Sequence, residues 1–172
     1  NITDLENIYN AYVTDPDLRA AYKEIRDQWD LTSVGRPSPD FKGQDINGKT
    51  LSLKDFNGKY LYIDVWATWC GPCKKEIPFL KELEKKFEGK NITFLSLSTD
   101  QNKTDWENMV KSGELSGTQL LIGRGSQFQK DYNINGIPHF ILLDPEGKIV
   151  NASMIRPSSP DIEKVLNALP GI

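Results

Sequence analysis

The chain contains two cysteines, Cys70 and Cys73, three positions apart in the run WATWCGPCKKEIP (66–78). Three chemistries suit such a pair: half of a metal site, a structural staple, or a dithiol that opens and closes. A tetrahedral zinc site needs four ligands of the cysteine and histidine type, and the chain can add only His139. No metal is therefore expected. A disulfide across so short a loop removes little unfolded-state entropy and would be a weak staple. A Cys-x-x-Cys that leaves a strand and opens a helix suits redox work, because the helix N-terminus supplies free N–H groups and partial positive charge that favour a thiolate. Gly71 lets a partner backbone come close, while Pro72 sits where a first-turn proline costs no hydrogen bond and stiffens the turn.

The pair needs a strand below it and a helix to carry it, and the flanking sequence offers both. YLYIDVWA (60–67) is a mostly apolar run of strand length, a helix is predicted over 71–88, and ITFLSLS (92–98) reads as a second strand. Thr104 with Glu107 predicts the cap of a helix running through Val110. TQLLI (118–122) predicts another strand and SQFQKDY (126–132) a short helix. FILLD (140–144) and IVNASMI (149–155) form a hairpin about Pro145-Glu146-Gly147, ahead of a last helix over 159–169. Upstream, Phe41 to Gln44 and Thr50 to Leu53 flank Asn47-Gly48, a dipeptide that favours a tight hairpin turn. This order of elements implies an α/β plan with a parallel centre and an antiparallel end.

The first segment, to about Gly35, reads as helical. Thr3 with Glu6 fits a capping box, and Asp15-Pro16 opens a second helix whose Leu18, Tyr22, Ile25 and Trp29 fall at helical spacing. Those side chains are expected to pack on the main domain, with VGRPSP (34–39) as a turn-rich connector. No internal repeat or low-complexity tract is present.

At 172 residues the chain has room for one domain with a real core and hardly for two. Its 38% hydrophobic and 26% charged residues suit a soluble globular protein, and a formal charge of -3 gives no electrostatic reason to bind nucleic acid or an anionic membrane. Lys74, Lys75 and the later KKFEGK run read as the wet face of a helix. No apolar run approaches the roughly 20 residues of a spanning helix. No signal-peptide pattern opens the chain, which begins at Asn1 rather than Met, so a mature or trimmed fragment is expected. The Asn-x-Ser/Thr matches at Asn1, Asn91, Asn102 and Asn151 read as chance.

The segment IDVWATWCGPCKKEIP closely resembles thioredoxin-fold disulfide oxidoreductases. The run from PDF (39–41) through NGKTLSLKDFNGK to that motif resembles the exported branch that includes oxidoreductases of the ResA and TlpA type. The resemblance covers about residues 36–170. It implies a thioredoxin-like α/β fold: a central mixed β-sheet flanked by helices, with an N-terminal β-hairpin, an inserted helix–strand unit at 104–122, and a helical N-terminal extension. The expected division is an extension over 1–35 and a thioredoxin-like domain over 36–172.

Roles follow from the resemblance residue by residue. Cys70 matches the exposed nucleophile, Cys73 the resolving cysteine one turn deeper, and Trp69 the aromatic flank of the site. Pro78 matches a helix-kinking proline. Pro138 in GIPHF matches a cis-proline that lets Ile137 offer its backbone to a substrate strand. Asp64 matches the buried aspartate of cytoplasmic thioredoxins, and Glu76 the acid that follows Cys-x-x-Cys in the exported branch. An aspartate in an apolar strand is costly to bury unless paired, and one role for it is to take the proton from Cys73. His139 reads as a packing or surface residue, with tuning of Cys70 as its other reading.

The resemblance implies thiol-disulfide exchange on proteins, as an extracytoplasmic reductant without a cofactor. Protein disulfides or dithiols are the expected partners, with an unidentified electron donor. The expected location is the bacterial periplasm, with a membrane tether in the full-length protein and a monomeric state. Two rivals stand beside this reading. A thiol peroxidase of the related P-x-x-x-T-x-x-C type would need proline and threonine where Ile63 and Ala67 stand. A thioredoxin-fold peptide-binding module would keep its partner without either cysteine, with the helical segment as its docking element. GRGSQF (123–128) lacks the last glycine of a dinucleotide loop.

Overall fold

The computed structural model describes residues 2–172, and side chains from residue 7 onward. Two helices, Ile2–Tyr12 (α1) and Pro16–Leu31 (α2), precede a hairpin of Lys42–Gln44 (β1) and Thr50–Ser52 (β2) and a 3-10 turn at Leu53–Phe56. Then come Tyr60–Trp66 (β3), Gly71–Lys86 (α3), Ile92–Ser98 (β4), Lys103–Lys111 (α4), Thr118–Leu121 (β5) and Gln127–Asp131 (α5). His139–Leu143 (β6), Ile149–Asn151 (β7) and Ile162–Asn167 (α6) complete the chain.

All seven strands join one sheet in the order β2-β1-β5-β4-β3-β6-β7. Its centre, β5-β4-β3, is parallel, and the pairings on both sides are antiparallel. β3 is buried at every residue, as a central strand covered on both faces must be. The two-residue alternation of a strand divides those side chains. Leu61, Ile63 and Val65 enter a core with Leu95, Leu97, Phe128 and Tyr132, roofed by α5. Tyr60 and Tyr62 face the other way, into a core with Leu80 and Leu83 of α3 and Ile162 and Leu166 of α6. A third cluster, at the C-terminal end of β3, packs Trp66 and Ala67 with Cys70, Cys73 and Trp106 of α4.

Several local expectations are corrected. The hairpin turn is not a two-residue one: Gly48 N–H bonds Asp45 O (3.0 Å) and Asp45 N–H bonds Lys49 O (2.9 Å), leaving three residues in the loop with Gly48 at φ +82. Asn102, not Thr104, caps α4, accepting the Thr104 N–H at 3.0 Å. β7 stops at Asn151, whose side chain turns back to accept the Ser153 N–H (2.9 Å) and ends the ladder. The capping box at Thr3 and Glu6 lies outside the described side chains.

The largest departure is in α2. Leu18, Ile25 and Trp29 are 60%, 51% and 70% exposed, and α2 buries no residue at all. Instead of laying that stripe on the sheet, α2 pairs with α1: Tyr9 stacks on Tyr22, and Arg19 donates to Val13 O and Asn10 O. Its C-terminal end is tied to the rest through Gln28 Nε2, which donates to Lys130 O (3.2 Å), and an Asp30–Arg36 ion pair (2.9 Å). The connector after it is also more than a turn. Residues 35–38 bond to the outer edge of β7 and the turn before it, after which the chain crosses to the β1–β2 hairpin at the other end of the sheet.

Gly43 shows how tightly that far edge is fitted. A Cβ there would stand 2.8 Å from Leu120 Cβ, closer than real Cβ contacts come, and a tight 3.2 Å from Ile122 Cγ2. Gly43→Ala is expected to lower stability by about 1–3 kcal/mol, because the added methyl overpacks two backbone-anchored side chains. Urea unfolding monitored by tryptophan fluorescence checks this; an unchanged midpoint would show that β1 shifts away freely.

Candidate active site

β3 delivers the chain to the top of the sheet at Trp66, and four residues later Cys70 becomes the N-cap of α3. Its backbone is extended, as a cap requires, and its Sγ accepts the Cys73 N–H at 3.2 Å. The two sulfurs are bonded to each other, so the structure is that of the oxidised state. Pro72 lies in the first turn, where no N–H is missed. Pro78 sits inside α3, which nevertheless remains one helix to Lys86.

The sulfurs are less open than the sequence implied. Cys70 and Cys73 are 4% and 3% exposed, so in the disulfide form neither is the exposed partner. What stands out is the rim: Trp69 is 65% exposed, and Gly71 and Pro72 are exposed with it. Cys70 Sγ lies 3.7 Å from the Ile137 carbonyl oxygen, and the Ile137–Pro138 peptide bond is cis. Beside them opens a cleft of about 700 Å³, lined by Trp69, Thr99, Gly136 and Ile137 among others. The structure thus brings Trp69, Gly71, Pro72, Ile137 and Pro138 around the sulfurs.

His139 goes elsewhere. It pairs with Val65, on the sheet face opposite Asp64, and its Nε2 is 2.8 Å from Ala152 O. That contact fastens β6 to the segment after β7, in keeping with a packing role.

Asp64 lies one residue pair below Trp66, flanked on the same sheet face by Ser96 and Phe140 and covered by the α3 side of the core. It is buried, and its Oδ1 has no hydrogen-bond partner. Burial is the main reason its carboxyl is pushed up from the ordinary value of 3.8 to about 8, and the nearby charges of Glu76 and Glu84 add to it. Glu76 is buried as well, but its oxygens are engaged: they accept the Ser158 N–H (3.0 Å) and O–H (2.9 Å), with Arg156 Nη1 at 3.9 Å. Among the described residues neither carboxyl hydrogen-bonds to Cys73. The loop after β7 holds the Glu76 side chain, and its charge acts on the Asp64 carboxyl. Tyr62, on the same face, donates to Ile155 O (2.7 Å), and its hydroxyl is pushed above its ordinary range by burial and then by the Asp64 and Glu76 charges.

Sequence reading missed the anchor of the cysteine loop. Asp100 is 3% exposed and accepts four bonds: Thr68 N–H to both oxygens (3.2 and 3.0 Å), Thr68 O–H (2.7 Å) and Ser98 O–H (2.7 Å). Thr99 N–H adds a bond to Trp66 O (2.9 Å). The residues just before Cys70 are thereby pinned to the end of β4. A polar Ser-Thr-Asp run closing an apolar strand was the available signal, and Thr68, the partner that gives Asp100 its meaning, lies 32 positions away. Among the described residues, no group of three or more His, Cys, Asp or Glu could hold a metal ion.

The redoxin family profile matches residues 33–169, and with them the strand, loop and helix that hold both sulfurs. The chain belongs to the redoxin family. Curated relatives of this redoxin include thiol-disulfide oxidoreductase ResA of Bacillus thuringiensis, 31% identical over 79% of this chain and 78% of that protein, and ResA of Bacillus subtilis, 31% identical over 69% and 65%. A solution structure from Bacteroides vulgatus, provisionally assigned as a thiol-disulfide oxidoreductase, is 58% identical, with a TM-score of 0.70 over 77% of this chain and 88% of that one. A thiol:disulfide interchange protein from a Bacteroides species is 34% identical, with a TM-score of 0.70 over 81% and 94%. This redoxin is accordingly a ResA-like, thioredoxin-fold oxidoreductase. No helix among the described residues is long and apolar enough to cross a membrane.

Two outcomes are expected from these acids. Asp64 keeps a proton in the folded protein that the unfolded chain releases, because its folded pKa of about 8 lies above 3.8. Raising pH through that window should destabilise the parent relative to Asp64→Asn by up to about 1.4 kcal/mol per pH unit, levelling above about pH 8. Parallel stability curves for the two proteins would remove the buried proton. Asp100→Ala should cost about 3 kcal/mol in urea unfolding, since it strips partners from two hydroxyls and a backbone N–H. A loss under about 1 kcal/mol would show that the loop is held by other means.

Proposed function

We propose that this redoxin reduces disulfide bonds of proteins outside the cytoplasm, using Cys70 and Cys73 as its dithiol. The observation that carries the reading is the placement of Cys70 Sγ: at the N-terminus of α3, within 3.7 Å of the Ile137 carbonyl, at the edge of the cleft. A thiolate there is favoured by the helix N-terminus. An extended substrate segment can pair with the backbone at Ile137, which brings its disulfide to the sulfur. Trp69, Gly71 and Pro72 form the rim against which that segment rests.

In the forward reaction Cys70 thiolate attacks one substrate sulfur, the substrate S–S bond breaks, and the departing sulfur takes a proton. Cys73 then loses its proton and attacks Cys70 Sγ, which releases the second substrate thiol and leaves the enzyme as the disulfide seen here. Two electrons pass from enzyme to substrate, and a thiol donor returns them. Asp64, buried beneath the site with a carboxyl near pH 8, is the group we assign to exchange Cys73's proton through one water. Glu76 is a positioning residue in this scheme: its charge raises the Asp64 carboxyl.

The reaction needs no cofactor. The thiol-disulfide oxidoreductase activity for which the ResA relatives are named supports the exchange reaction, and the location we propose is the bacterial periplasm, with a membrane tether in the full-length protein and a monomeric enzyme. We assign residues 1–35 to an extension and 36–172 to the catalytic domain.

The test is trapping. With Cys73→Ser, the reduced protein should accumulate a mixed disulfide between Cys70 and a protein substrate, and iodoacetamide should label Cys70 of the reduced parent about 10-fold faster than Cys73 at neutral pH. Asp64→Asn should slow the resolving step roughly 10-fold, followed by stopped-flow fluorescence of Trp66 and Trp69. Failure of the parent to reduce insulin disulfides would reject the reading.

A further inference from the structure

The cleft beside Cys70 carries a charge pattern that the exchange chemistry does not use. Among the described residues, Arg124 and Lys130 are the only ionisable side chains along it, and the rest of its polar lining is amide-rich, with Gln28, Gln129, Asn133 and Asn135. The lining therefore holds two positive charges and no carboxylate, in a chain whose formal charge is -3. Both cations are exposed, and among the described residues neither belongs to an ion pair. One wall comes from α2, which lies outside the matched residues 33–169: Gln28 lines the cleft and donates to Lys130 O at 3.2 Å. The same helix presents Ile25 and Trp29, three residues before Gln28 and one after it, both more than half exposed.

We propose that this cleft, walled by α2, selects substrate segments bearing acidic side chains next to the cysteine, with Arg124 and Lys130 as the specificity-determining residues. This rests on the thiol-disulfide reading above. A segment laid along Ile137 to reach Cys70 Sγ must run past Trp69 and into the cleft, where a carboxylate meets two cations and no competing acid. An exposed ion pair is a small effect, so the preference is graded and not absolute: two pairs correspond to roughly 3- to 10-fold in rate. It acts on encounter and seating, so it appears in kcat/KM and fades with salt, whose screening length falls to about 3 Å at 1 M.

The experiment uses the full chain, reduced, with three peptides of one length whose single cysteine is disulfide-linked to a small chromogenic thiol. The residues flanking the cysteine are Glu, Gln or Lys. Hydroxyethyl disulfide, which cannot fill the cleft, serves as the control substrate. The Glu peptide should react roughly 3- to 10-fold faster than the Gln peptide and the Lys peptide slowest, with the spread collapsing at about 1 M salt. Arg124→Gln combined with Lys130→Gln should level the three rates. Gln28→Lys, which adds a third cation while keeping a donor for Lys130 O, should widen the spread. Equal rates in the parent, with hydroxyethyl disulfide still reduced, overturn the selectivity and leave the exchange chemistry standing. A spread that survives in the Arg124 and Lys130 double variant also overturns it. Loss of reaction with all four substrates rejects the exchange chemistry itself, and the selectivity with it.

Discussion

A helix that starts at the top of a sheet leaves its first N–H groups without partners, and here a sulfur answers that need. Cys70 Sγ caps α3, and from this one bond follow the placement of Cys73 a turn later and the exposure of the residues between them. It also fixes what the neighbours must do. The loop before the cap has to be rigid, or the sulfur would wander from Ile137, and the four bonds accepted by Asp100 supply that rigidity from β4. Trp106, fully buried in α4, closes the same cluster from the side. The inserted helix is thus part of the support for the sulfurs rather than an ornament on the sheet.

Beneath the cap the sheet keeps a carboxyl that simple packing would remove. Asp64 interrupts an otherwise apolar and aromatic strand, has an oxygen without a partner, and lies near two further acids. Such a group persists at a cost to stability when its protonation serves something else. Ser158 and Arg156 fasten Glu76 to the loop after β7, so Asp64 feels a charge whose position is set from far along the chain.

Much of this was legible in the sequence, and the rest was hidden for identifiable reasons. The central strands were readable because β3 and β4 are apolar runs of strand length, and β4 begins and ends where the run does. Asn102 was passed over as the α4 cap because Thr104, two positions on, is also a good capping residue, and only backbone geometry separates them. The stripe on α2 was read correctly as one helical face and wrongly as a buried one: periodicity shows that a helix has an apolar side, but not whether anything covers it. Asp100 escaped because its meaning depends on Thr68, a contact that no local pattern encodes. The turn at Asn47-Gly48 was placed correctly and mistyped, because Asp45 accepts the Asn47 and Lys49 N–H groups and favours the longer loop.

The connector after α2 has a bearing on solubility. Gly35 and Arg36 occupy the backbone groups of Ile149, Ser38 N–H bonds Gly147 O, and Pro37 bridges to Lys148, so one border of the sheet is sealed by the chain itself. At the other border β2 is only three residues long, and Asp55 takes its Ser52 N–H. Open strand borders template pairing with any extended polypeptide. With the β7 border covered by the connector and the β2 border only three residues long, an extended polypeptide finds little open ladder to join.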